Sequence, residues 1–256
     1  ERQKWYGVAC CPPNIMRLLA SIGQYFATSD PAGLQIHLYN TGTINTKLPS
    51  GHSTYLAIET DYPWEGQVKL TVENSDESEW LLRLRIPGWC QSAKVNLNGN
   101  ALRNFLVENG YLLIDRVWMS GDVVELEFDL APHLIEANPR VDAIRSSVAI
   151  QYGPLIYCFE EMKSHSKLAD IYLDNKSTLK AIWSDNVLPE RIKVIETTGH
   201  LVNPPGWQDK LYRPLIDQNQ ESLSSQPVSL TGIPYYAWGN RLPGAMRVWM
   251  PLLDKL

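Results

Sequence analysis

The feature that most constrains this chain is a repeated alternation of apolar and polar residues with a period of two. Three stretches show it clearly, at residues 67–74, 79–86 and 122–130, where every second side chain is large and apolar. Successive side chains of an extended strand point to opposite faces, so this spacing predicts strands with one buried face. Asn98-Gly99 and Asn109-Gly110 are dipeptides typical of tight turns between antiparallel strands. Shorter strand candidates lie at residues 34–39, 55–60, 93–97 and 111–115.

A second group of strand-like segments follows a boundary that we place near residues 131–139. The stretch at 199–226 is rich in Pro, Asn, Gln and Ser, which is typical of a long loop. Many short strands separated by regular turn signals predict a sandwich or a barrel. We therefore predict a mainly β chain with two β-sandwich domains, at residues 30–135 and 136–256. The strand candidates of the second group are residues 146–151, 155–160, 180–183, 191–196 and 245–250.

One strong helix is predicted, near the beginning of the sequence. Pro12-Pro13-Asn14 is typical of a helix start, because proline fits the first helical turn. We expect the helix to end near residues 28–31. A single amphipathic helix in a β chain has no helical partner in the sequence, so its apolar face packs either on the first sheet or on helices that precede residue 1. We favour the second arrangement, and thus expect this chain to be a fragment. The apolar face consists of Ile15, Leu18, Leu19, Ile22 and Phe26.

Charge and cysteine content exclude several classes of protein. The formal net charge of −5 is accompanied by no basic block, so we expect neither nucleic acid nor an anionic membrane surface as a partner. No apolar run approaches the roughly 18 residues that cross a bilayer. The chain has four cysteines in 256 residues, too few for a disulfide scaffold. Reduced thiols in a cytoplasmic protein are the simpler interpretation.

The adjacent thiols of Cys10 and Cys11 stand immediately before the predicted helix. The helix dipole and the unpaired N–H groups of a helix start stabilise a thiolate there. Two thiolates are also preferred zinc ligands, although zinc is usually bound by four groups. The five histidines show no metal-binding spacing, so the remaining ligands are expected before residue 1. The residues alone favour the alternative of two small, buried hydrophobic side chains, and both interpretations stay open at this point.

The sequence around the cysteine pair resembles a known family signature. Arg2 to Gly7, followed by Ala9-Cys10-Cys11-Pro12-Pro13-Asn14-Ile15 and by Arg17 to Ser21, is similar to the signature of glycoside hydrolase family 127. This family contains the β-L-arabinofuranosidases and their relatives. Further segments that resemble the family lie at residues 85–90, 153–157 and 233–241.

The resemblance implies an (α/α)6 barrel that carries the active site, followed by two β-sandwich domains. Residues 1–29 would then be the end of the catalytic barrel. By the same resemblance, Cys10 is the nucleophile of a retaining glycoside hydrolase, and both Cys10 and Cys11 bind zinc. The other two zinc ligands and the glutamate that acts as acid and base would lie upstream of this chain. The implied partners are an arabinose-containing oligosaccharide or glycoside and the upstream catalytic barrel.

Two other functions and several residue roles stay open. The chain could be a non-catalytic β-sandwich module that supports a catalytic domain or binds glycan, or the zinc could be purely structural. Trp5 is the best candidate for a sugar contact, because aromatic faces stack on sugar rings and Trp5 precedes the pair by five residues. Cys90 and Cys158 are expected to be inert core thiols. The oligomeric state is open, with a homodimer as one arrangement.

Overall fold

A computed structural model describes residues 7–161, 167–203, 211–214, 224–241 and 243–253. Within them lie one α-helix and twenty β-strands, so the chain is mainly β, as predicted. The helix α1 spans Cys11–Ser21 and continues as a 3-10 turn over Ile22–Tyr25. No helix in this part of the chain is both long enough and apolar enough to cross a bilayer.

The chain divides into two compact units at the junction of Leu130 and Ala131. The first unit contains α1 and eleven strands. These strands are β1 Ala27–Asp30, β2 Gly33–Ile36, β3 Gly42–Lys47, β4 Ser53–Thr60, β5 Gln67–Ser75, β6 Glu79–Arg85, β7 Ala93–Leu97, β8 Asn100–Ala101, β9 Leu106–Glu108, β10 Tyr111–Val117 and β11 Val123–Phe128.

The first unit is a sandwich of two sheets. One sheet has the strand order β1-β2-β6-β10-β9 and the other the order β3-β4-β5-β11-β7-β8. All neighbouring strands are antiparallel except β2 and β6, which run parallel. Strands far apart in sequence, such as β2 and β6 or β5 and β11, are neighbours here. The sandwich therefore forms through long-range pairing.

Alternating apolar residues build the core of this sandwich. Leu70 of β5 lies opposite Val124 of β11, and Leu84 of β6 lies opposite Leu112 of β10. All four side chains are buried, whereas the residues between them point outward. Burial of one such side chain stabilises the fold by about 1.5–3 kcal/mol. The predicted period of two is confirmed in these strands.

The two predicted turn dipeptides also occupy turns. Asn98 and Gly99 connect β7 to β8 with φ angles of 52° and 75°. Asn109 and Gly110 connect β9 to β10 with φ angles of 51° and 81°. Two consecutive residues with positive φ are required by the tightest hairpin turns, and Asn-Gly adopts them at low cost.

The second unit contains the remaining nine strands. Its central order is β12-β13-β14-β18-β17-β15, while β16 pairs with β17, β19 with β14 and β20 with β13. The buried side chains include Tyr157 and Phe159 in β14, and Val194 and Ile195 in β17. The strands are β12 Pro132–Glu136, β13 Ser147–Tyr152, β14 Leu155–Glu160, β15 Ile171–Leu173, β16 Lys180–Ser184, β17 Ile192–Val202, β18 Ser225–Pro234, β19 Met246–Arg247 and β20 Met250–Pro251.

Several features differ from the sequence-based expectation. The predicted strand at 245–250 is two short strands, β19 and β20, and the strand predicted at 34–39 ends at Ile36. The strand β12 occupies residues that we assigned to the domain boundary, and its pairing with β13 places it in the second unit. That unit begins at Ala131, five residues before the predicted start at 136. The ends of β17 and β18 pair inside the segment that we expected to be a loop, 199–226. The α-helix ends at Ser21, earlier than residues 28–31. Each difference arises from a partner strand or a tightened turn that local composition does not reveal.

Gly66 offers a sharp test of the first sandwich. A Cβ atom at Gly66 would lie 2.1 Å from the backbone oxygen of Phe128, whereas a Cβ atom at Gly42 would meet nothing within 4 Å. We expect Gly66→Ala to lower the free energy of unfolding by about 1–3 kcal/mol. The new methyl group would clash with the backbone of Phe128, which cannot move aside as easily as a side chain. Gly42→Ala is the control and should change it by less than about 0.5 kcal/mol. Urea unfolding followed by tryptophan fluorescence measures both, and equal stability of the two variants would contradict the packing described here.

Candidate active site

The backbone at the start of α1 brings the two cysteine side chains to the surface. Cys10 is the residue before the helix, with φ −69° and ψ −41°, and its carbonyl oxygen accepts a hydrogen bond from the amide of Asn14 at 3.3 Å. Pro12 and Pro13 follow in the first turn and have no N–H group. The backbone donors left at this helix start are therefore those of Cys10 and Cys11, fewer than an ordinary helix start provides.

The sulfur atoms of Cys10 and Cys11 lie 3.7 Å apart, and both side chains are exposed. Within the described residues, nothing covers the two side chains enough to bury them. A tetrahedral zinc ion with Zn–S bonds of about 2.3 Å places two sulfur ligands about 3.8 Å apart. The donor atoms and their separation thus fit two of the four positions of a zinc site.

The described residues do not complete such a site. Among them, no group of three or more His, Cys, Asp or Glu side chains is arranged to hold a metal ion. A four-coordinate zinc at Cys10 and Cys11 would need two further ligands from elsewhere.

A polar stripe on α1 contains Cys10. Asn14, Arg17 and Ser21 follow Cys10 at spacings of four, seven and eleven, which places all four on one face of a helix. Arg17 Nη1 donates a hydrogen bond to Asn14 Oδ1 at 2.8 Å, and Ser21 Oγ donates to the carbonyl oxygen of Arg17 at 2.9 Å. The guanidinium group of Arg17 is thereby held back toward the cysteine end of the helix. Asn14 and Arg17 were expected only as parts of the helix start and the family signature, although their spacing from Cys10 was the signal that could have placed them on its face.

An apolar stripe contains Cys11. Ile15, Leu18 and Ile22 follow Cys11 at the same helical spacings, and they are 59%, 52% and 41% exposed. No residue of α1 is buried in the described part of the chain. A contiguous apolar surface of this kind is typical of a face that packs against another structural element. Cys10 thus faces the polar side of the helix and Cys11 its apolar side.

The far end of the helical segment is fixed to the first sandwich. The amide of His37 donates a hydrogen bond to the carbonyl oxygen of Phe26 at 2.8 Å. The ring of His37 also lies between the hydroxyls of Thr28 and Tyr111, with both N–O distances at 2.7 Å. Burial and the positive charge of Arg85 lower the pKa of His37, so its ring is neutral at pH 7. The sandwich therefore fixes the end of the segment that carries the cysteines.

The other predicted site residues lie apart from this helix start or outside the description. Trp5 falls outside the described residues. Cys90 is half-buried, and its thiol donates a hydrogen bond to the carbonyl oxygen of Ser92 at 3.0 Å. Cys158 is fully buried in β14, and burial raises the pKa of its thiol to about 12.

These environments predict a ranking of thiol reactivity. We expect a thiol reagent at pH 8 to label Cys10 and Cys11 of the reduced, metal-free chain first, because both are exposed. Cys90 should react slowly, since burial raises its pKa, and Cys158 only after unfolding. Peptide mass mapping over time measures the order. Early labelling of Cys158 would contradict this ranking. So would labelling of Cys10 and Cys11 that is no faster than labelling of Cys90.

Two family models match the chain, and their limits follow the two units. Residues 33–130 match the model described as "Beta-L-arabinofuranosidase, GH127 middle domain". Residues 132–251 match the model described as "Glycoside hydrolase family 127 C-terminal domain".

Individual relatives agree with the family models. The chain is 31% identical to a non-reducing end β-L-arabinofuranosidase of Bifidobacterium longum subsp. longum, covering 97% of this chain and 38% of the relative. Its sequence is 40% identical to that of a GH127 β-L-arabinofuranosidase from Geobacillus stearothermophilus T6 whose crystal structure is known. The two structures agree with a TM-score of 0.88, and the match covers 98% of this chain and 38% of the relative. A solved GH127 β-arabinofuranosidase is 30% identical, with a TM-score of 0.85 over 99% of this chain and 40% of its own.

The chain thus spans about two fifths of the length of these relatives. Since the two family models together match far more than half of its residues, the chain belongs to glycoside hydrolase family 127, whose middle and C-terminal domains it contains.

Proposed function

We propose that this chain supplies the nucleophile and two zinc ligands of a retaining β-L-arabinofuranosidase. Cys10 is the nucleophile, and Cys10 and Cys11 both bind zinc. The observation that carries the proposal is the pair of exposed sulfur atoms, 3.7 Å apart at a helix start. The names of the relatives support arabinofuranosides as the substrate class.

The proposed zinc has a defined task. When bound, it keeps the two sulfurs deprotonated at neutral pH and holds them in place. The helix start is consistent with this task for zinc. Pro12 and Pro13 have no N–H group, so two backbone donors that would otherwise face a thiolate are missing.

Two displacements at the anomeric carbon account for the reaction. The Cys10 sulfur attacks the anomeric carbon, and the bond from that carbon to the departing oxygen breaks as a carboxylic acid protonates the oxygen. Water, losing its proton to the same carboxylate, then attacks the carbon and releases Cys10 as a thiolate. Because each step inverts the configuration, the product retains it.

The two helix stripes suggest how the nucleophile meets its substrate. Cys10 shares its face with Asn14 and Arg17, whose side chains are joined by a hydrogen bond of 2.8 Å. A polyhydroxylated sugar fits this polar face better than the apolar one. The exposed apolar stripe with Ile15 and Leu18 is then the face against which we place the catalytic barrel.

The proposed activity belongs to the whole protein. The chain contributes two of the four zinc ligands. The acid that protonates the departing oxygen is expected in the part of the full-length protein that corresponds to the remainder of the relatives' sequences. A supporting, non-catalytic role is the second candidate. It is favoured by the incomplete ligand set among the described residues.

Replacement of the nucleophile tests the proposal in the full-length protein. We expect Cys10→Ala to reduce kcat for a β-L-arabinofuranoside by about 10³-fold or more, because the glycosyl–enzyme bond can no longer form. Cys90→Ala is the matched control, since that thiol is half-buried and should leave kcat within a factor of about two. An active Cys10→Ala enzyme would exclude the covalent role and favour the supporting one.

Metal analysis tests the ligand assignment independently of activity. We expect about one zinc per full-length protein, and a loss of most of it in the Cys10→Ala/Cys11→Ala double variant. Elemental analysis by mass spectrometry after exhaustive dialysis measures the content. A double variant that keeps its full zinc would overturn the assignment, whereas zinc loss with full activity would mean that the ion is structural.

A further inference from the structure

Two hairpin loops of the first unit share one sequence and one backbone conformation. Asn98-Gly99 and Asn109-Gly110 are the two Asn-Gly dipeptides of the chain. Each forms the two-residue loop of a hairpin, with φ angles of 52° and 75° in the first and 51° and 81° in the second. Both asparagines are exposed. A difference in the chemistry of the two side chains must therefore come from the bonds that hold them.

An Asn-Gly dipeptide can modify itself, because glycine has no side chain to keep its backbone nitrogen away from the amide carbon of the asparagine. The nitrogen attacks Cγ, and the bond from Cγ to Nδ2 breaks as ammonia leaves with the proton of that nitrogen. Water then opens the resulting five-membered imide at either of its carbonyls. The product is aspartate or isoaspartate, and water is the only co-reactant.

The side chain of Asn98 is held away from this reaction. Its Nδ2 donates a hydrogen bond to Asp122 Oδ1 at 2.6 Å, and its Oδ1 accepts one from the amide of Val123 at 2.8 Å. The amide of Asn98 also donates to the carbonyl oxygen of Val123 at 2.9 Å. Movement of Cγ towards the nitrogen of Gly99 would break both side-chain bonds, one of which has a carboxylate as its acceptor.

The side chain of Asn109 has no such restraint. No residue in the described part of the chain forms a hydrogen bond with its amide group. The strand-pairing bonds of this hairpin join the flanking residues, Glu108 and Tyr111, and so leave the nitrogen of Gly110 outside the ladder. The carbonyl oxygen of Gly110 accepts a hydrogen bond from the amide of Ile86 at 2.7 Å, which restrains neither of the two reacting atoms.

We propose that Asn109 is a site of spontaneous deamidation, and that the bonds to Asp122 and Val123 protect Asn98 from the same reaction. The two loops differ in this restraint and not in sequence, turn conformation or exposure. The site lies in the first sandwich and has no part in the role proposed for Cys10, so either proposal can fail alone.

Deamidation changes both the charge and the backbone of the β9–β10 hairpin. Asn109 lines a shallow cavity together with His37, Tyr111 and Glu108, and conversion adds a carboxylate there. Isoaspartate also lengthens the main chain by one atom within a loop of two residues. The pairing of the edge strand β9 with β10 is therefore weakened in that product.

The rates at the two asparagines of one molecule test the proposal. Full-length protein would be incubated at pH 8 in water labelled with heavy oxygen, so that imide opened during incubation is distinguished from imide opened during digestion. Peptide mass spectrometry measures labelled aspartate and isoaspartate at each position. We expect conversion at Asn109 to be at least about tenfold faster than at Asn98, which two side-chain hydrogen bonds hold. The same protein unfolded in urea is the control, and there the two sites should convert at similar rates.

Two variants separate the hydrogen-bond restraint from other causes. Asp122→Ala removes the acceptor of Asn98 Nδ2, and in a protein shown by circular dichroism to be folded we expect conversion at Asn98 to be about threefold faster or more. Asn109→Gln should abolish the early product, because glutamine would have to close a six-membered ring, which forms far more slowly.

Three results would overturn the proposal. The first is equal rates at Asn98 and Asn109 in the folded protein. The second is no product at position 109 over a period in which the unfolded protein converts it. The third is an unchanged rate at Asn98 in the folded Asp122→Ala variant.

Discussion

Pairing of alternating apolar strands within each sheet is the constraint on which the rest of the first unit depends. Leu34 and Ile36 of β2 lie opposite Leu82 and Leu84 of β6, and all four are buried in one core. The same strand β2 pairs with β1, which directly follows the helical segment. Through this connection, and through the hydrogen bond from His37 to Phe26, the sandwich fixes the end of the segment that begins at the cysteine pair.

The two cysteines face different sides of one helix start. Adjacent residues on a helix point about 100° apart, so Cys10 and Cys11 face different stripes although their sulfurs are 3.7 Å apart. One sulfur can therefore meet a polar ligand while the other lies beside a surface suited to apolar packing. The two prolines remove backbone donors at the same point, which leaves the stabilisation of negative charge on sulfur chiefly to a metal ion or a neighbouring cation.

The local sequence pattern predicted much of the fold but less of the candidate active site. The strands at residues 93–97 and 155–160 are confirmed at both ends, because Asn98-Gly99 ends the first and Gly153-Pro154 immediately precedes the second. The strand Ser225–Pro234 escaped prediction, since its polar, proline-containing sequence gains its structure from pairing with Ile192–Val202. Position in sequence also gave no sign that Glu160 and Arg241, 81 residues apart, form one ion pair. A motif resemblance singled out the cysteine pair as a candidate site, whereas its exposure and its sulfur separation required the structure.

Direct observation of a sugar bonded to sulfur tests the central claim most sharply. Full-length protein would be mixed with a β-L-arabinofuranoside, quenched in acid during turnover, digested and analysed by peptide mass spectrometry. The account predicts a pentosyl group on the peptide that contains Cys10 and Cys11, assigned to Cys10 by fragmentation and absent without substrate. A pentosyl group on a carboxylate, or an anomerically inverted product with no adduct at any time point, would contradict it.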